Sequence, residues 1–194
     1  ALAATYRPYP YVEKHENVRY AAEGFLFPDT YEINGEFDAA RIMEMMAENF
    51  DRRLTKEMRA RAKEMDLSIY ELVTLASLVE KEAYHEEDRP IIAQIFLKRL
   101  RVGMPLQADP TVQYLLDAPK EDLLYRDTEI ASPYNTYQNV GLPPGPIASP
   151  GTASLNAVLH PADTNYLYFV ADRNGNNYYA TNYADHLDLV DRVR

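Results

Sequence analysis

The most apolar helical pattern of this chain lies between residues 69 and 83, and it constrains the fold more than any other feature. Its apolar positions recur three and four residues apart, which is the spacing that one face of an α-helix requires. Ser68 precedes the pattern and Glu71 follows three residues later, so this pair predicts a capping box at the start of the helix. The sequence therefore predicts a core helix through Ile69, Leu72, Val73, Leu75, Ala76, Leu78, Val79 and Ala83.

Two carboxylates, Glu80 and Glu82, stand near the C-terminal end of this helix. A carboxylate beside an apolar face loses hydration, which raises its pKa toward that of a working general acid. At about 100° per residue both acids flank the apolar face at similar angles, and the larger side chains one turn before Glu82 mildly favour Glu82. A solvated, acidic helix end is the simpler interpretation, and in that case Glu80→Gln should change the stability by about 1 kcal/mol or less.

The other segments are assigned from periodicity, capping residues and turn signals. Residues 38–65 predict one long or two abutting amphipathic helices, and Pro90 opens a further helix that Gly103 ends. Two prolines keep the first twenty residues extended, as a tail or an edge strand. Shorter patterns predict helices over 111–116, 154–159 and 184–193, and a hairpin of strands 166–171 and 178–181 around Asn174, Gly175 and Asn176. Together with the length of 194 residues, these elements predict one α+β domain with a helical N-terminal half and a C-terminal hairpin.

Residues 104–150 are rich in proline and too long for a plain connection, which is typical of a functional loop system. Asp109 stands before a proline and is therefore expected to be extended, so that Gln107 and Asp109 are presented rigidly at a loop surface. A plain turn into a helix is the alternative.

Segments 132–137 and 141–151 combine Tyr, Pro and Gly, which suits a stiff, aromatic-edged surface for a sugar or a peptide. A proline-rich segment that docks on a partner's groove is the other interpretation.

Composition and the missing motifs exclude several classes of function. The chain holds 20 Lys and Arg against 30 Asp and Glu, a net charge of −10, which argues against a general nucleic-acid binder. The chain has no cysteine and its four histidines lack the spacing of metal ligands, so we expect no metal site. No Walker, GxSxG or GxGxxG pattern occurs, so we expect neither serine-triad chemistry nor a nucleotide cofactor. No apolar run approaches the roughly 18 residues of a membrane span and no signal-peptide pattern is present, so the chain as given is expected to be soluble.

Five ordered blocks of sequence resemble the family of MltG-type, YceG-like endolytic murein transglycosylases. The blocks are EGFLFPDTY (23–31), LASLVEKE (75–82), QADPTV (107–112), YNTY (134–137) and GLPPGPIASPG (141–151). Their order and spacing make the resemblance specific, and it extends from about Glu23 to the C-terminus. Residues 21–194 are accordingly expected to form the catalytic domain, and residues 1–20 an extended N-terminal segment.

The resemblance implies an enzyme that cuts peptidoglycan strands internally, between N-acetylmuramic acid and N-acetylglucosamine, and leaves 1,6-anhydro-muramoyl ends without a cofactor. It implies Glu82 as the single catalytic acid in a lytic-transglycosylase-like cleft. The glycan-contacting residues that it implies are Gln107, Asp109, Tyr134, Asn135 and Tyr137. It further implies a full-length bacterial protein held at the extracytoplasmic face of the inner membrane by one N-terminal transmembrane helix, with cell-wall synthases as candidate partners.

Two other functions fit the same residues. A hydrolytic muramidase would use Asp109 as a second carboxylate beside Glu82, either to activate water or to form a covalent intermediate. A non-catalytic cell-wall-binding or divisome scaffold module would use the Tyr- and Pro-rich loops to bind glycan or a synthase without cutting it. The products released from purified sacculi distinguish both functions from a transglycosylase.

Overall fold

The computed structural model describes residues 2–33, 35, 38–120 and 123–193, and it is mainly helical with one small sheet. The helices are α1 (Leu2–Thr5), α2 (Ala39–Arg53), α3 (Lys56–Glu64), α4 (Ile69–Glu82), α5 (Arg89–Arg101), α6 (Asp109–Gln113), α7 (Thr152–Leu159) and α8 (Tyr183–Val193). Short 3₁₀ turns lie at Glu86–Asp88 and Tyr125–Asp127, and the sheet pairs β1 (Tyr168–Ala171) with β2 (Asn177–Ala180). The combination of helices with a separate antiparallel hairpin confirms the predicted α+β fold.

Helix α4 lies at the centre of the core. It begins at the predicted capping box, where the Ser68 hydroxyl accepts a hydrogen bond from the Glu71 amide at 3.1 Å and the Glu71 carboxylate accepts one from the Ser68 amide at 2.9 Å. All residues from Leu72 to Val79 are buried, with α3, α5, α6 and α7 packed around them. Burial of apolar area contributes about 25 cal/mol per Å², so a helix enclosed on all sides has a firmly determined position and a firmly determined end.

The amphipathic region after residue 38 folds as two helices rather than one. Asp38 and Thr55 cap the N-termini of α2 and α3, and each side chain accepts a hydrogen bond from the backbone amide three residues later. Because the backbone of Thr55 is extended, it interrupts the helical path between the two helices. Phe50 of α2, Leu54 of the connection and Met58 of α3 all lie in the hydrophobic core.

Residues 2–20 contain the short helix α1 and otherwise follow an irregular path, so the edge strand considered for this segment does not form. Tyr11 stacks on Tyr9 and donates a hydrogen bond to Asp51 of α2 at 2.8 Å. Val12 is buried in the core. Ring packing and side-chain hydrogen bonds, instead of a sheet ladder, hold this segment against the helices.

The block of residues 23–31 brings the later proline-rich loop against α4. Gly24 has φ of 83°, and a Cβ at this position would lie 2.6 Å from Pro146 and 2.8 Å from Val73, so only glycine fits without displacement. The neighbouring Phe25 is buried in the core. The close approach at Gly24 therefore joins three segments that are distant in sequence.

Helix α5 has Pro90 in its first turn and ends just before Gly103, as predicted. The prediction that Asp109 is extended was wrong, because Asp109 is the first residue of α6. The chain bends earlier, at Gln107 with φ of 50° and at the extended residue Ala108. The following proline consequently falls in the first turn of α6, where its missing N–H has no helical partner to lose.

The C-terminal part of the chain is a hairpin followed by a helix. Tyr168 pairs with Ala180 across the antiparallel hairpin. In the turn, the Asp172 carboxylate accepts hydrogen bonds from the amides of Asn174 at 2.8 Å and Asn176 at 3.0 Å. Helix α8 packs mainly on this hairpin, and none of its described residues is fully buried. Hairpin and helix α8 form within a few residues of their predicted bounds.

Candidate active site

A cavity of about 430 Å³ opens at the C-terminal end of α4, and Glu82, the last residue of this helix, lines it. Gln107, Asp109 and Tyr137 line the same cavity. Four of the six site residues that the resemblance implies are therefore brought together here. Helix α5, strand β1 and helix α8 provide the remaining walls.

The surroundings of Glu82 favour the protonated form of its carboxyl group. Burial raises its pKa to about 8, and the negative charge of Asp109 acts in the same direction. The backbone amide of Asp109 and the positive charge of Arg99 oppose this rise without cancelling it. The C-terminal end of a helix is also the negative end of its dipole, which disfavours a carboxylate there. Glu82 thus retains a proton that it can donate at neutral pH, as a general acid must.

Two threonine hydroxyls join helix α6, which carries Asp109, to the loop that carries Tyr137. The Oγ1 atoms of Thr111 and Thr136 lie 2.9 Å apart, and both residues are buried. The Thr136 hydroxyl also accepts a hydrogen bond from the Ala108 amide at 3.0 Å. Because buried polar groups that satisfy one another are costly to separate, this contact keeps Asp109 and Tyr137 in place beside Glu82.

Asp109 and Tyr137 also contact each other directly, since the Tyr137 hydroxyl donates a hydrogen bond to Oδ1 of Asp109. Burial, and after it the charge of Asp109, raises the pKa of Tyr137, so the phenol stays protonated. Gln107 is exposed beside them, and its backbone amide donates a hydrogen bond to the Thr136 carbonyl at 3.1 Å. The cavity therefore presents an amide, a carboxylate and a phenol next to one carboxylic acid.

Arg99 is a further residue of the site, and no sequence motif indicated it. It is 5% exposed, and its guanidinium donates hydrogen bonds to the carbonyl groups of Leu167 at 2.8 Å and Leu106 at 2.7 Å. The guanidinium also lies 5.4 Å from the ring centroid of Tyr168. Arg99 stands two helical turns after the inward-facing Ile92, and a charged residue on the buried face of a helix is the signal that could have found it.

Another wall of the cavity is lined by Tyr168, Tyr183 and His186, none of which was predicted as a site residue. Their hairpin and helix were predicted, but nothing in the local pattern indicates that α8 folds back toward the end of α4. The large number of tyrosines, 16 in the chain, is the only trace of this wall in the sequence.

Tyr134 and Asn135 do not line the cavity that Glu82 lines, and their contact with glycan stays a prediction. Asn135 is 0% exposed, and its side-chain amide donates two hydrogen bonds to carbonyl groups of its own loop. Its side-chain oxygen accepts a hydrogen bond from the Tyr137 amide at 3.0 Å. Tyr134 is buried too, and its hydroxyl accepts a hydrogen bond from the Arg19 amide at 3.2 Å. Both residues shape the loop that carries Tyr137.

Glu80 has a different environment from Glu82. Its Oε2 accepts hydrogen bonds from the Ser154 hydroxyl at 2.7 Å and the Gly151 amide at 3.1 Å, and Arg89 lies 3.4 Å from its Oε1. Burial acts to raise the pKa of Glu80, but these hydrogen bonds and the charge of Arg89 lower it below its ordinary value. Glu80 is therefore an ionised carboxylate that holds the start of α7, and the interpretation as a solvated side chain was wrong for it.

The loop 141–151 packs along α4 instead of over the cavity. The Ile147 amide donates a hydrogen bond to the Ser77 hydroxyl at 3.1 Å, and the Tyr70 hydroxyl donates one to the Pro144 carbonyl at 3.2 Å. These two hydrogen bonds attach the loop to the core helix, and a ligand-facing surface on this loop stays a prediction.

The fold and the site define a helical protein with a half-buried carboxylic acid at the end of its core helix, lining an open cavity. The sequence model of the YceG-like family matches residues 3–192, and the chain belongs to this family. The endolytic murein transglycosylase of Bacillus subtilis is 44% identical over 165 residues, covering 83% of this chain and 45% of that protein. The endolytic murein transglycosylase of Streptococcus pneumoniae is 38% identical over 179 residues, covering 89% and 32%. A crystal structure of a YceG-like protein from Listeria monocytogenes superimposes with a TM-score of 0.85 at 38% identity, covering 90% of this chain and 57% of that one.

The chain spans less than half the length of these two transglycosylases. The family match begins at residue 3 and includes the N-terminal segment, so the division at residue 20 stays a prediction. None of the helices in the described ranges is long and apolar enough to cross a bilayer. In the same ranges, no group of three or more His, Asp and Glu side chains is arranged to hold a metal ion.

Proposed function

We propose that this chain is the catalytic part of an endolytic murein transglycosylase, which cuts peptidoglycan strands between N-acetylmuramic acid and N-acetylglucosamine. The observation that carries the proposal is the position of the Glu82 carboxyl group in an open cavity at the end of the core helix, where its pKa is raised to about 8. Proton donation to a leaving oxygen needs an acid whose pKa lies near the working pH. The activity named for relatives at 38% and 44% identity supports the same reaction.

The first step is proton donation by Glu82 to the glycosidic oxygen. The bond between this oxygen and C1 of N-acetylmuramic acid breaks, and the departing N-acetylglucosamine keeps the proton as a hydroxyl group. Positive charge develops at C1, as in other glycoside cleavages. Glu82 becomes a carboxylate, which the Asp109 amide and the Arg99 charge stabilise.

The second step closes a ring within the substrate. The 6-hydroxyl of the same muramoyl residue attacks C1, its proton passes to the Glu82 carboxylate, and a 1,6-anhydro bond forms. No water is consumed, and Glu82 regains the proton that it gave. Because the nucleophile belongs to the same sugar, its effective concentration is high and a separate water-activating base is unnecessary. One carboxyl group at the cavity is sufficient for this sequence, and no step needs a cofactor.

Gln107, Asp109 and Tyr137 are the substrate-binding residues of this proposal. All three line the cavity with Glu82, and their polar groups suit the hydroxyl and acetamido groups at the edges of the two sugars. The hydrogen bond from Tyr137 to Asp109 keeps both side chains oriented before the substrate arrives. Such preorganisation lowers the entropy that binding has to offset.

The proposal extends to the site of action. Peptidoglycan lies outside the cytoplasm, so we place the full-length protein at the extracytoplasmic face of the inner membrane, held by a segment outside this chain and accompanied by cell-wall synthases. Fractionation of cells that express the full-length protein, followed by protease treatment of intact spheroplasts, tests this placement. A full-length protein that stays in the cytoplasmic fraction would contradict it.

The activity is tested by incubating purified sacculi with the chain and analysing the soluble products by mass spectrometry. Internal fragments with 1,6-anhydro-muramoyl ends are expected, and Glu82→Gln should release none. Reducing muramoyl ends that react with borohydride would identify a hydrolytic muramidase with Asp109 as the second carboxylate. Binding of sacculi without any soluble product would identify a non-catalytic glycan-binding module.

A further inference from the structure

Three aromatic rings form a continuous cluster on one wall of the cavity, and the reaction described above does not use them. Tyr168 belongs to β1, and Tyr183 and His186 belong to α8. The ring centroid of Tyr168 lies 5.3 Å from that of His186 and 5.8 Å from that of Tyr183, and the last two are 6.2 Å apart. We call this cluster the aromatic wall.

The aromatic wall lies outside the hydrophobic core. Tyr183 is 59% exposed, and none of the described residues of α8 is fully buried. Helix α8 packs mainly on the hairpin, so its position beside the cavity is not imposed by the core around α4. Tyr168 and His186 are half-buried. Grouped aromatic rings that are partly exposed next to an acid in a cavity are typical of a ligand-binding surface.

The chemistry of the cavity favours the ring of a neutral sugar as the ligand of this wall. A pyranose ring in a β-1,4-linked strand presents C–H groups on its faces and hydroxyl groups at its edges. The negative face of an aromatic ring attracts such C–H groups, and stacking removes apolar area of both rings from water. Gln107 and Asp109 line the same cavity and offer hydrogen bonds to the hydroxyl groups at the sugar's edge.

We propose that the aromatic wall is a binding subsite on which a sugar of the glycan strand stacks, next to the sugar whose bond Glu82 cleaves. This inference rests on the proposed function and adds to it the residues that determine the affinity for the strand. The wall and the acid then have separable roles. Changes in the wall alter mainly the concentration of glycan needed for half-saturation, whereas changes at Glu82 alter the rate.

The test replaces the exposed ring while keeping an apolar side chain, with Tyr183→Leu compared to the ring-retaining Tyr183→Phe. Tyr125→Leu is the matched control, because Tyr125 is 82% exposed and does not line the cavity. Binding to sacculi is measured for each variant in the Glu82→Gln background, and half-saturation and melting temperature are measured with Glu82 present. Tyr183→Leu should weaken binding to sacculi and raise the glycan concentration needed for half-saturation, each roughly three- to tenfold, which is the range that aromatic stacking supports. Tyr183→Phe should restore most of the binding, and Tyr125→Leu should match the wild type.

Each other outcome has a defined meaning. Equal losses for Tyr183→Phe and Tyr183→Leu would overturn the proposal, because the hydroxyl and not the ring would then bind. Unchanged binding in Tyr183→Leu, or a loss of binding that only follows a fall in melting temperature, would overturn it as well. A wild-type chain that binds sacculi through Tyr183 but releases no product would contradict the proposed activity and leave the subsite in place.

Discussion

The backbone amide of Asp109 favours the carboxylate form of Glu82, while the side chain of the same residue places a negative charge near the carboxyl group of Glu82. These contacts have opposite effects on the pKa of Glu82, because the amide favours the carboxylate and the charge favours the acid. The Tyr137 hydroxyl holds the Asp109 side chain in this position. In the proposed reaction, the charge of Asp109 favours the protonated form of Glu82 before proton transfer, and its amide favours the carboxylate form afterwards.

Glu82→Gln should abolish cleavage and stabilise the protein. The amide cannot give or retake a proton, so turnover of sacculi should fall by at least the roughly 10²–10⁴-fold typical of a general acid–base group. The amide also carries no charge to desolvate, so above neutral pH we expect a gain of about 1–3 kcal/mol in the free energy of unfolding. This gain is smaller than the full pKa shift implies, because the carboxyl group faces an open cavity where solvent screens its charge. Sacculi turnover and thermal melts measure both effects. Activity in Glu82→Gln together with loss of activity in Glu80→Gln would show that the wrong glutamate has been chosen.

The pH dependence of turnover should follow Glu82. Its pKa of about 8 lies above the ordinary value of 4.5, so the acid is present at neutral pH and the rate should fall as the pH rises through about 8. The free energy of unfolding should also fall as the pH rises. The contribution of the protonated Glu82 to stability is fully present below the ordinary pKa of 4.5 and is lost as the pH rises through the folded-state pKa of about 8. Rates of anhydro-end formation and melting temperatures across this range check both statements. A Glu82→Gln protein whose melting temperature falls equally over the same interval would assign the stability effect to other groups.

Arg99 should influence both the pH profile and the stability. Arg99→Met removes the positive charge that opposes the rise in the pKa of Glu82, so the alkaline limb of the pH–rate profile should move to higher pH. It also leaves the carbonyl groups of Leu106 and Leu167 without their donor, which should cost about 1–3 kcal/mol. Arg99→Lys keeps the charge and should keep the alkaline limb near its original position. Identical profiles for wild type and Arg99→Met would show that Arg99 acts on the fold alone.

Glu80→Gln should cost more than a surface substitution. The variant loses the ion pair with Arg89 and weakens the hydrogen bonds from Ser154 and Gly151, so we expect a loss of about 1–2 kcal/mol in the free energy of unfolding. Because the pKa of Glu80 is lowered, its contribution is present above the ordinary pKa and is lost as the pH falls through the folded-state value.

Glu64→Gln is the matched control for Glu80→Gln, since Glu64 forms an exposed i,i+3 ion pair with Arg61. Its replacement should lower the free energy of unfolding by less than about 0.5 kcal/mol. Chemical denaturation at neutral pH compares the two variants, and a double-mutant cycle with Ser154→Ala isolates the hydrogen bond to Glu80. Equal costs for Glu64→Gln and Glu80→Gln would contradict the role of Glu80 in holding the start of α7.

The sequence by itself determined the elements whose signals are local. The capping box at Ser68, the helix between Pro90 and Gly103 and the turn that ends at Asn176 each depend on residues only a few positions apart, and each forms where it was predicted. The sequence blocks also indicated the family, because their order and spacing along the chain can be read without knowing the fold. Glu82 was preferred over Glu80 on the same basis, although the helical wheel alone left both acids open.

Only the tertiary structure decided what each polar side chain faces. Glu80 and Glu82 lie two residues apart, but Glu80 meets Ser154, which is 74 positions away, whereas Glu82 meets Asp109 of another helix. Asn135 turns inward for a comparable reason, because the carbonyl groups of its own folded loop satisfy its amide. A pKa or a burial depends on the atoms a few ångströms away in space. Periodicity records which face of an element is apolar but not which distant segment packs against it, so the cavity and its aromatic wall could be found only in the folded chain.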